Sequence, residues 1–291
     1  MAVNPRRRPT GRKNQGRKEN LPWRQMGNRL KGASGVNDDP GPGDVKLLAD
    51  TGLGRGSNVI EFGCGSGALS RLLARAVGPA GRVLGLDLSA FNVARARELA
   101  AEERLDNALF EVADLRQTRA ATDYADLTVA RNVLGYVSAP ELVVKEMLRA
   151  TRPGGVVAAL DADEGLVVYE PEPPVLAELR DILARDRMAE GGNQYVGRSL
   201  YRLLAEAGLA EVRAVALPSN STDPEWSTTR DPASHTAVLA RAVDGLVERG
   251  KLSAEEASRY QRALHEVTHN PAGFIFVCSF FVWGRKPLRC A

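Results

Sequence analysis

Val59-Ile60-Glu61-Phe62-Gly63-Cys64-Gly65-Ser66-Gly67 is the stretch whose reading decides the fold. Val59, Ile60 and Phe62 around one acid read as a short strand buried on both faces. The glycines then turn the chain tightly, and Ala68 to Val77 returns with Leu69, Leu72, Leu73 and Val77 at helical spacing. A glycine turn lets backbone come close to a ligand because no Cβ intervenes. The helix that follows aims its N-terminal amides at the same place. Strand, turn and helix together indicate a nucleotide-type cofactor site.

Gly63, Gly65 and Ala68 also satisfy the G-x-G-x-x-G/A spacing of dinucleotide dehydrogenases, so the glycines alone do not choose the cofactor. Glu61, two residues before the first glycine, does. A carboxylate at this strand end repels a pyrophosphate and suits a cationic ligand. The segment resembles motif I of the class I S-adenosylmethionine (SAM) methyltransferases, acid-x-Gly-x-Gly-x-Gly. The resemblance implies SAM as cofactor and S-adenosylhomocysteine (SAH) as product, with Glu61, Gly63, Cys64, Gly65 and Gly67 at the cofactor. SAM carries a sulfonium and an ammonium but no phosphate, which agrees with the charge of Glu61.

Downstream, strand and helix patterns alternate. Arg82 to Leu88 reads as a second strand with Asp87, 24 residues beyond Gly63, placed to accept bonds from ribose hydroxyls. Ser89 is a helix cap ahead of about residues 90–103, and Leu88 and Asn92 flank the same cofactor position. Leu109 to Leu115 reads as a third strand ending in Asp114. The resemblance puts Asp114 on the adenine amino group and Leu115 against the ring. Asp126 to Leu134 reads as a fourth strand and its loop, bringing Arg131, Asn132 and Tyr136 to the carboxyl rim, where open α/β sheets bind ligands. A helix over Pro140 to Arg152 and an Arg152-Pro153-Gly154-Gly155 turn precede a fifth strand, Val156 to Asp161. Glu211 to Leu217 and Phe274 to Trp283 read as a closing antiparallel pair. The implied fold is a Rossmann-like α/β, seven-stranded class I methyltransferase sheet, order 3-2-1-4-5-7-6, strand 7 antiparallel, with an inserted helical lid.

Two segments fall outside that core, about residues 162–196 and 218–273. The second holds helical patterns over about 233–249 and 253–267 and is too long for a hairpin loop, so it reads as a lid that selects the acceptor. All three histidines, His235, His265 and His269, lie in it. They are candidate bases, with Asp161, Asp163 and Tyr169 after strand five as alternatives. The expected reaction is in-line transfer of the SAM methyl group to an O, N or C nucleophile of a small molecule. The resemblance is to the ubiquinone-biosynthesis-like branch.

The composition, 44% hydrophobic and 26% charged, is that of a globular protein. No apolar run reaches the roughly 18–20 residues of a membrane span, and no secretory leader is apparent. Cys64, Cys278 and Cys290 have no metal-ligand spacing. No metal and no membrane partner are expected, the compartment reads as cytoplasmic, and a homo-oligomer is compatible. Residues 1–31 hold ten of the 39 Lys/Arg and one of the 36 acids, leaving 29 against 35 for the rest. Residues 1–20 read as a disordered basic tail and 21–291 as the methyltransferase domain. Trp23 and Met26 are candidate cover for the cofactor, ahead of a short helix begun at Asp44. A nucleic-acid or protein methyltransferase using the tail is one rival, and a SAM-binding protein that does not methylate is another. No Asn/Asp-Pro-Pro-Tyr/Phe follows strand four to clamp a flipped base, so nucleic acid is not the expected partner.

Because residues 1–20 add no apolar surface to the core, their deletion should leave the melting temperature and SAM affinity nearly unchanged. A fall of many degrees would show that the tail packs.

Overall fold

The computed structural model describes residues 50–222 and 232–288. The basic tail, Trp23, Met26 and all but the end of the helix expected from Asp44 lie outside the described residues. β1 (Asn58–Phe62), β2 (Arg82–Asp87), β3 (Ala108–Val112), β4 (Ala125–Arg131) and β5 (Thr151–Ala162) form a parallel sheet in the order 3-2-1-4-5. α1 (Ala68–Val77), α2 (Ala90–Glu102) and α3 (Pro140–Ala150) make the crossovers after β1, β2 and β4.

Alternation along the strands builds two cores. Val59, Val83, Leu127, Val129, Val156 and Ala158 pack on one face beneath Leu69, Leu72 and Leu73 of α1 and Val93 and Ala96 of α2. Ile60, Phe62, Leu86, Ala130, Val157 and Ala159 pack on the other beneath Val143 and Met147 of α3 and Leu200 and Leu203 of α5 (Leu200–Glu206). Each fully buried Val, Leu, Ile or Phe contributes roughly 1.5–3 kcal/mol, so a strand covered on both faces is committed to the interior. The expected start of strand five is corrected. Residues 152–155 belong to β5, because Gly154 N–H donates to the Lys286 carbonyl and Lys286 N–H to that of Gly155. α3 accordingly ends at Ala150 rather than Arg152.

β8 (Phe274–Arg285) is the seam of the molecule. Its residues 279–285 pair antiparallel with β5, and its opposite edge pairs with β7 (Ala210–Asn220). An additional short strand, β6 (Val168–Glu170), pairs with residues 274–276 of β8, end to end with β5 along the same edge. With β6 set aside, the strands run in the expected methyltransferase order with an antiparallel penultimate strand.

The two inserted segments merge into one layer. α4 (Pro174–Ala189) comes from the first, α6 (Pro232–Glu248) and α7 (Ala254–His269) from the second. Leu176 and Leu179 of α4, Leu239, Val243 and Leu246 of α6, and Tyr260 and Leu264 of α7 close a third core over Tyr169, Ile275 and Val277. α7 begins with a reciprocal cap between Ser253 and Glu256. Among the described residues no helix is long and apolar enough to cross a membrane.

Gly67 sits at φ +81°, and a Cβ there would lie 2.8–2.9 Å from the Phe110 ring and the Ala96 methyl. Gly67→Ala therefore adds a left-handed strain to an overpacked contact and should cost roughly 2–4 kcal/mol in urea unfolding. Gly250, at φ +67° with open space around it, is the control. Gly250→Ala should lose only the backbone share, about 1–2 kcal/mol, and an equal loss at both positions would sink the packing account.

Candidate active site

The carboxyl ends of β1 and β2 and the loop after β4 frame a cleft of about 610 Å³. The glycine turn forms its floor and is tied at both ends. Gly63 and Cys64 N–H groups share the Leu86 carbonyl at 2.7 and 2.9 Å, and Gly67 N–H donates back to the Cys64 carbonyl. Gly65 N–H donates to Asp87 Oδ2 at 2.9 Å. Asp87 Oδ1 accepts from Ser89 N–H at 2.8 Å, with the Asn92 side-chain amide at 3.5 Å. Ser89 caps α2 as expected, its hydroxyl accepting from Asn92 N–H. A Cβ added at Gly65 would meet nothing within 4 Å, so this glycine opens directly onto the cleft.

Acids dominate the wall: Glu61, Asp87, Asp114 and Glu190, against Arg116 and Arg131. Glu61 is buried and accepts a hydrogen bond from Ser70 at 2.5 Å. The Cys64 thiol is pushed far up, first by burial and then by the negative charges of Glu61 and Asp87, so it stays neutral and adds no anion. Asp114 stands two residues past the end of β3 rather than on it, on an exposed loop. Arg116 grips it with two side-chain bonds and one backbone bond, and these hold its carboxyl down at about 2. Exposed Leu88 and buried Leu115 supply apolar wall.

Every residue assigned to the cofactor from sequence, apart from Gly67, lines this one cleft. Gly67 lies just beneath it as the cap of α1. Sequence reasoning missed Ser66, Ala68, Arg116, Val133, Val137, Ser138 and Glu190. Glu190 arrives from the first insertion, which no local signal connects to β1. The donor set suits a cationic nucleoside. Each Asp87 oxygen has accepted one backbone amide, which leaves lone pairs for hydroxyls, and the open floor at Gly65 admits close approach.

A second, smaller cavity of about 90 Å³ adjoins the first, and Asn132 and Tyr136 line both. Asp161, Glu164, Asn193 and Gln194 form its polar side, Arg187 enters from α4, and Val238, Leu239 and Ala242 of α6 form an apolar side. Asn132 stands in the left-handed region at φ +54°. Its N–H donates to the Leu160 carbonyl, which holds the loop after β4 against β5.

The base candidates separate here. Asp161 lines the small cavity and accepts from Val133 and Leu134 N–H at 3.3 and 3.0 Å. Tyr169 and His235 are buried behind it, joined at 2.9 Å between the Tyr hydroxyl and His Nε2. His235 Nε2 also lies 3.9 Å from Glu164, which does face the cavity. Asp163 is fully buried, holds Arg198 in a fork of two bonds and caps Gly165, so it does not face the cavity. The expectation for His265 and His269 needs correcting. They stack on each other at 4.1 Å, exposed at the end of α7, and line neither cleft. A helix exposes one face, and the apolar residues of α7 take the inward one. Among the described residues no cluster of three His, Cys, Asp or Glu could hold a metal.

A family profile described as a methyltransferase domain matches residues 53–208. Trans-aconitate 2-methyltransferase of Paracidovorax citrulli is 37% identical over 203 residues, 69% of this chain and 72% of that protein. Arsenite methyltransferase of Halobacterium salinarum is 29% identical over 201 residues, 68% of this chain and 49% of that protein. Several of the curated relatives are matched over only about half their own length. Among solved structures, Haemonchus contortus phosphoethanolamine N-methyltransferase 2 in complex with S-adenosyl-L-methionine aligns with a TM-score of 0.54 at 18% identity. That alignment covers 84% of this chain and 52% of that one, and speaks to the fold. The profile spans β1 to α5, the stretch that builds the parallel part of the sheet, the glycine turn and the rim of the cleft, and the chain belongs to the methyltransferase-domain family.

Proposed function

We propose that the protein binds SAM in the larger cleft and transfers its methyl group to a small-molecule nucleophile held in the smaller one. The observation that carries the reading is the junction: Asn132 and Tyr136 line both cavities, so two ligands would meet there. SAM, when bound, supplies a methyl group already activated on a positively charged sulfur. What remains for the chain is alignment, exclusion of water and removal of a proton.

The glycine turn and Glu61 form the end of the site that receives the cationic part of SAM, Asp87 takes hydroxyls, and Leu88, Leu115 and Asp114 form the base end. In the smaller cavity Glu164 is the proton acceptor. Its carboxylate faces the acceptor space, with the buried His235–Tyr169 pair behind it. His235 itself has no exposed surface, so it acts by orienting Glu164 rather than by touching the acceptor. Asp161 is spent on the amides of Val133 and Leu134, and thereby shapes the rim. The α4, α6 and α7 layer excludes water from the acceptor side.

Asp87 gives the sharpest test of cofactor placement. Losing a charge-assisted contact costs about 1.5–3 kcal/mol per bond, so Asp87→Ala should weaken SAM binding roughly ten- to a hundredfold by calorimetry. Because Asp87 also latches Gly65 and Ser89, the variant should melt a few degrees lower while remaining folded. Asp106→Ala, on an exposed turn that does not line the cleft, should leave affinity as it was. Parental affinity in Asp87→Ala would remove the cofactor from this sheet edge.

For the proton acceptor, Glu164→Gln should slow turnover by about 10²-fold or more with SAM affinity kept. His235→Ala should slow it less. His265→Ala and His269→Ala should behave as the parent, and a hundredfold loss in either would move the acceptor site to α7. SAM bound without SAH formed against any acceptor would favour a non-methylating role.

A further inference from the structure

Arg187 is set apart from the cations around it. Arg180 pairs with Glu172, Arg198 with Asp163, and Arg249 and Lys251 both reach Asp186. Arg185 donates to the Asp181 carbonyl. Arg187 is half-buried and lines the smaller cavity, and its side chain makes no hydrogen bond or ion pair with any described residue. Its one contact of note is a stack, with the guanidinium carbon 3.6 Å from the centroid of the Tyr136 ring.

The stack is built rather than accidental. Gly192 N–H donates to the Arg187 carbonyl at 2.9 Å and folds the chain back over its stem. A Cβ on Gly192 would lie 2.6 Å from Arg187 Cδ and 2.6 Å from the Gly135 carbonyl oxygen. Only glycine leaves room for the stem between that turn and the aromatic ring. A guanidinium fixed in this way has already lost its rotamer freedom, so an arriving partner need not supply that ordering.

The acids of the cavity do not neutralise it. Asp161 accepts two backbone amides, Glu164 lies beside His235, and neither comes within 4 Å of Arg187 nitrogens. Five N–H donors in a planar fork match a carboxylate or phosphate. Leu183, one turn earlier on α4, and the α6 residues Val238 and Ala242 supply apolar wall for a short hydrocarbon body.

We propose that Arg187 is an anion subsite and that the methyl acceptor is a small organic acid bearing a carboxylate or a phosphate. The proposal rests on the reading of the smaller cavity as the acceptor site. With one face of the guanidinium on the Tyr136 ring, its edge donors take the anionic group, and the remainder of the acceptor extends toward Asn132 and the larger cleft.

Calorimetric titration of the full chain, saturated with SAH, tests this with succinate in one arm and inorganic phosphate in the other. One of the two should bind, and the arm that responds tells carboxylate from phosphate. Arg187→Met keeps the stem and removes the fork, and should weaken that anion at least about tenfold, equivalent to 1.4 kcal/mol. Arg187→Lys, a point charge without the fork, should fall between. SAH affinity and melting temperature should hold in both variants. Equal anion binding in Arg187→Met, or neither anion binding the parent at concentrations on the order of 10 mM, would overturn the subsite. Failure of SAH to bind would instead strike the cofactor assignment, and the same anion titrations without SAH would still read Arg187.

Discussion

A single carboxylate holds the cofactor cleft open. Asp87 ends β2 and receives the amides of Gly65 from the turn after β1 and of Ser89 from the cap of α2. These two loops come from adjacent parallel strands and have no ladder of their own. Their geometry is set by charge-assisted bonds to one side chain, each stronger than a neutral pair. The shared carbonyl of Leu86 ties the same turn from below. The cleft floor, the direction of α1 and the entry of α2 all follow from that corner. Glycine is needed where the turn must pass beneath Phe110 and beside Val133, because a side chain would meet both.

β8 is the second element on which much depends. One half of it completes the antiparallel end of the methyltransferase sheet against β5 and β7. The other half reaches past the sheet to pair with β6 and to carry Ile275 and Val277 into the third core. The lid is thus continuous with the sheet through a single strand. Its pairing with β6 and its contacts in the third core hold α4 and α6 over the carboxyl rim. Lys286, just beyond β8, donates to Asp123 and to the carbonyls of Leu148 and Thr151, and so satisfies the end of α3 at the opposite edge of the sheet.

The two clefts differ in how charge is handled. In the larger one the acids outnumber the bases, and the neutral Cys64 thiol avoids adding another anion to a buried corner. In the smaller one Asp161 accepts two backbone amides and Glu164 lies beside His235, while among the described residues the Arg187 guanidinium stacks on the Tyr136 ring. A cationic donor would be drawn to the larger cleft by its acids, whereas an anionic acceptor would meet in the smaller one the fork of Arg187 and not a cavity of opposite net charge. Glu190 and Arg187 sit three residues apart at the end of α4 yet line different cavities, so this helix end serves both.

Periodicity and punctuation alone determined the five parallel strands, the crossover helices after the first, second and fourth, the glycine turn, the Ser89 cap, the two helices of the second insertion and Asp87 at the end of β2. These are local properties: a strand buried on both faces is apolar on both, and a tight turn at positive φ favours glycine. Asp114 was legible as an acid near β3 but not as a loop residue held by Arg116, because strand ends depend on where a neighbour stops pairing. β6, the merging of the two insertions and the second cavity were not legible. They arise from pairings between residues about a hundred positions apart, such as Tyr169 with Ile275. The histidines show the difference most plainly. Sequence places all three in the lid, but only packing buries His235 against Tyr169 and turns His265 and His269 outward. Nothing in the local sequence sets Arg187 apart from the other charges of α4. It becomes a site only when Tyr136 from the β4 rim and Gly192 from the following turn close around it. Local chemistry chooses the elements, and the burial of one element against another decides which side chains can meet a ligand.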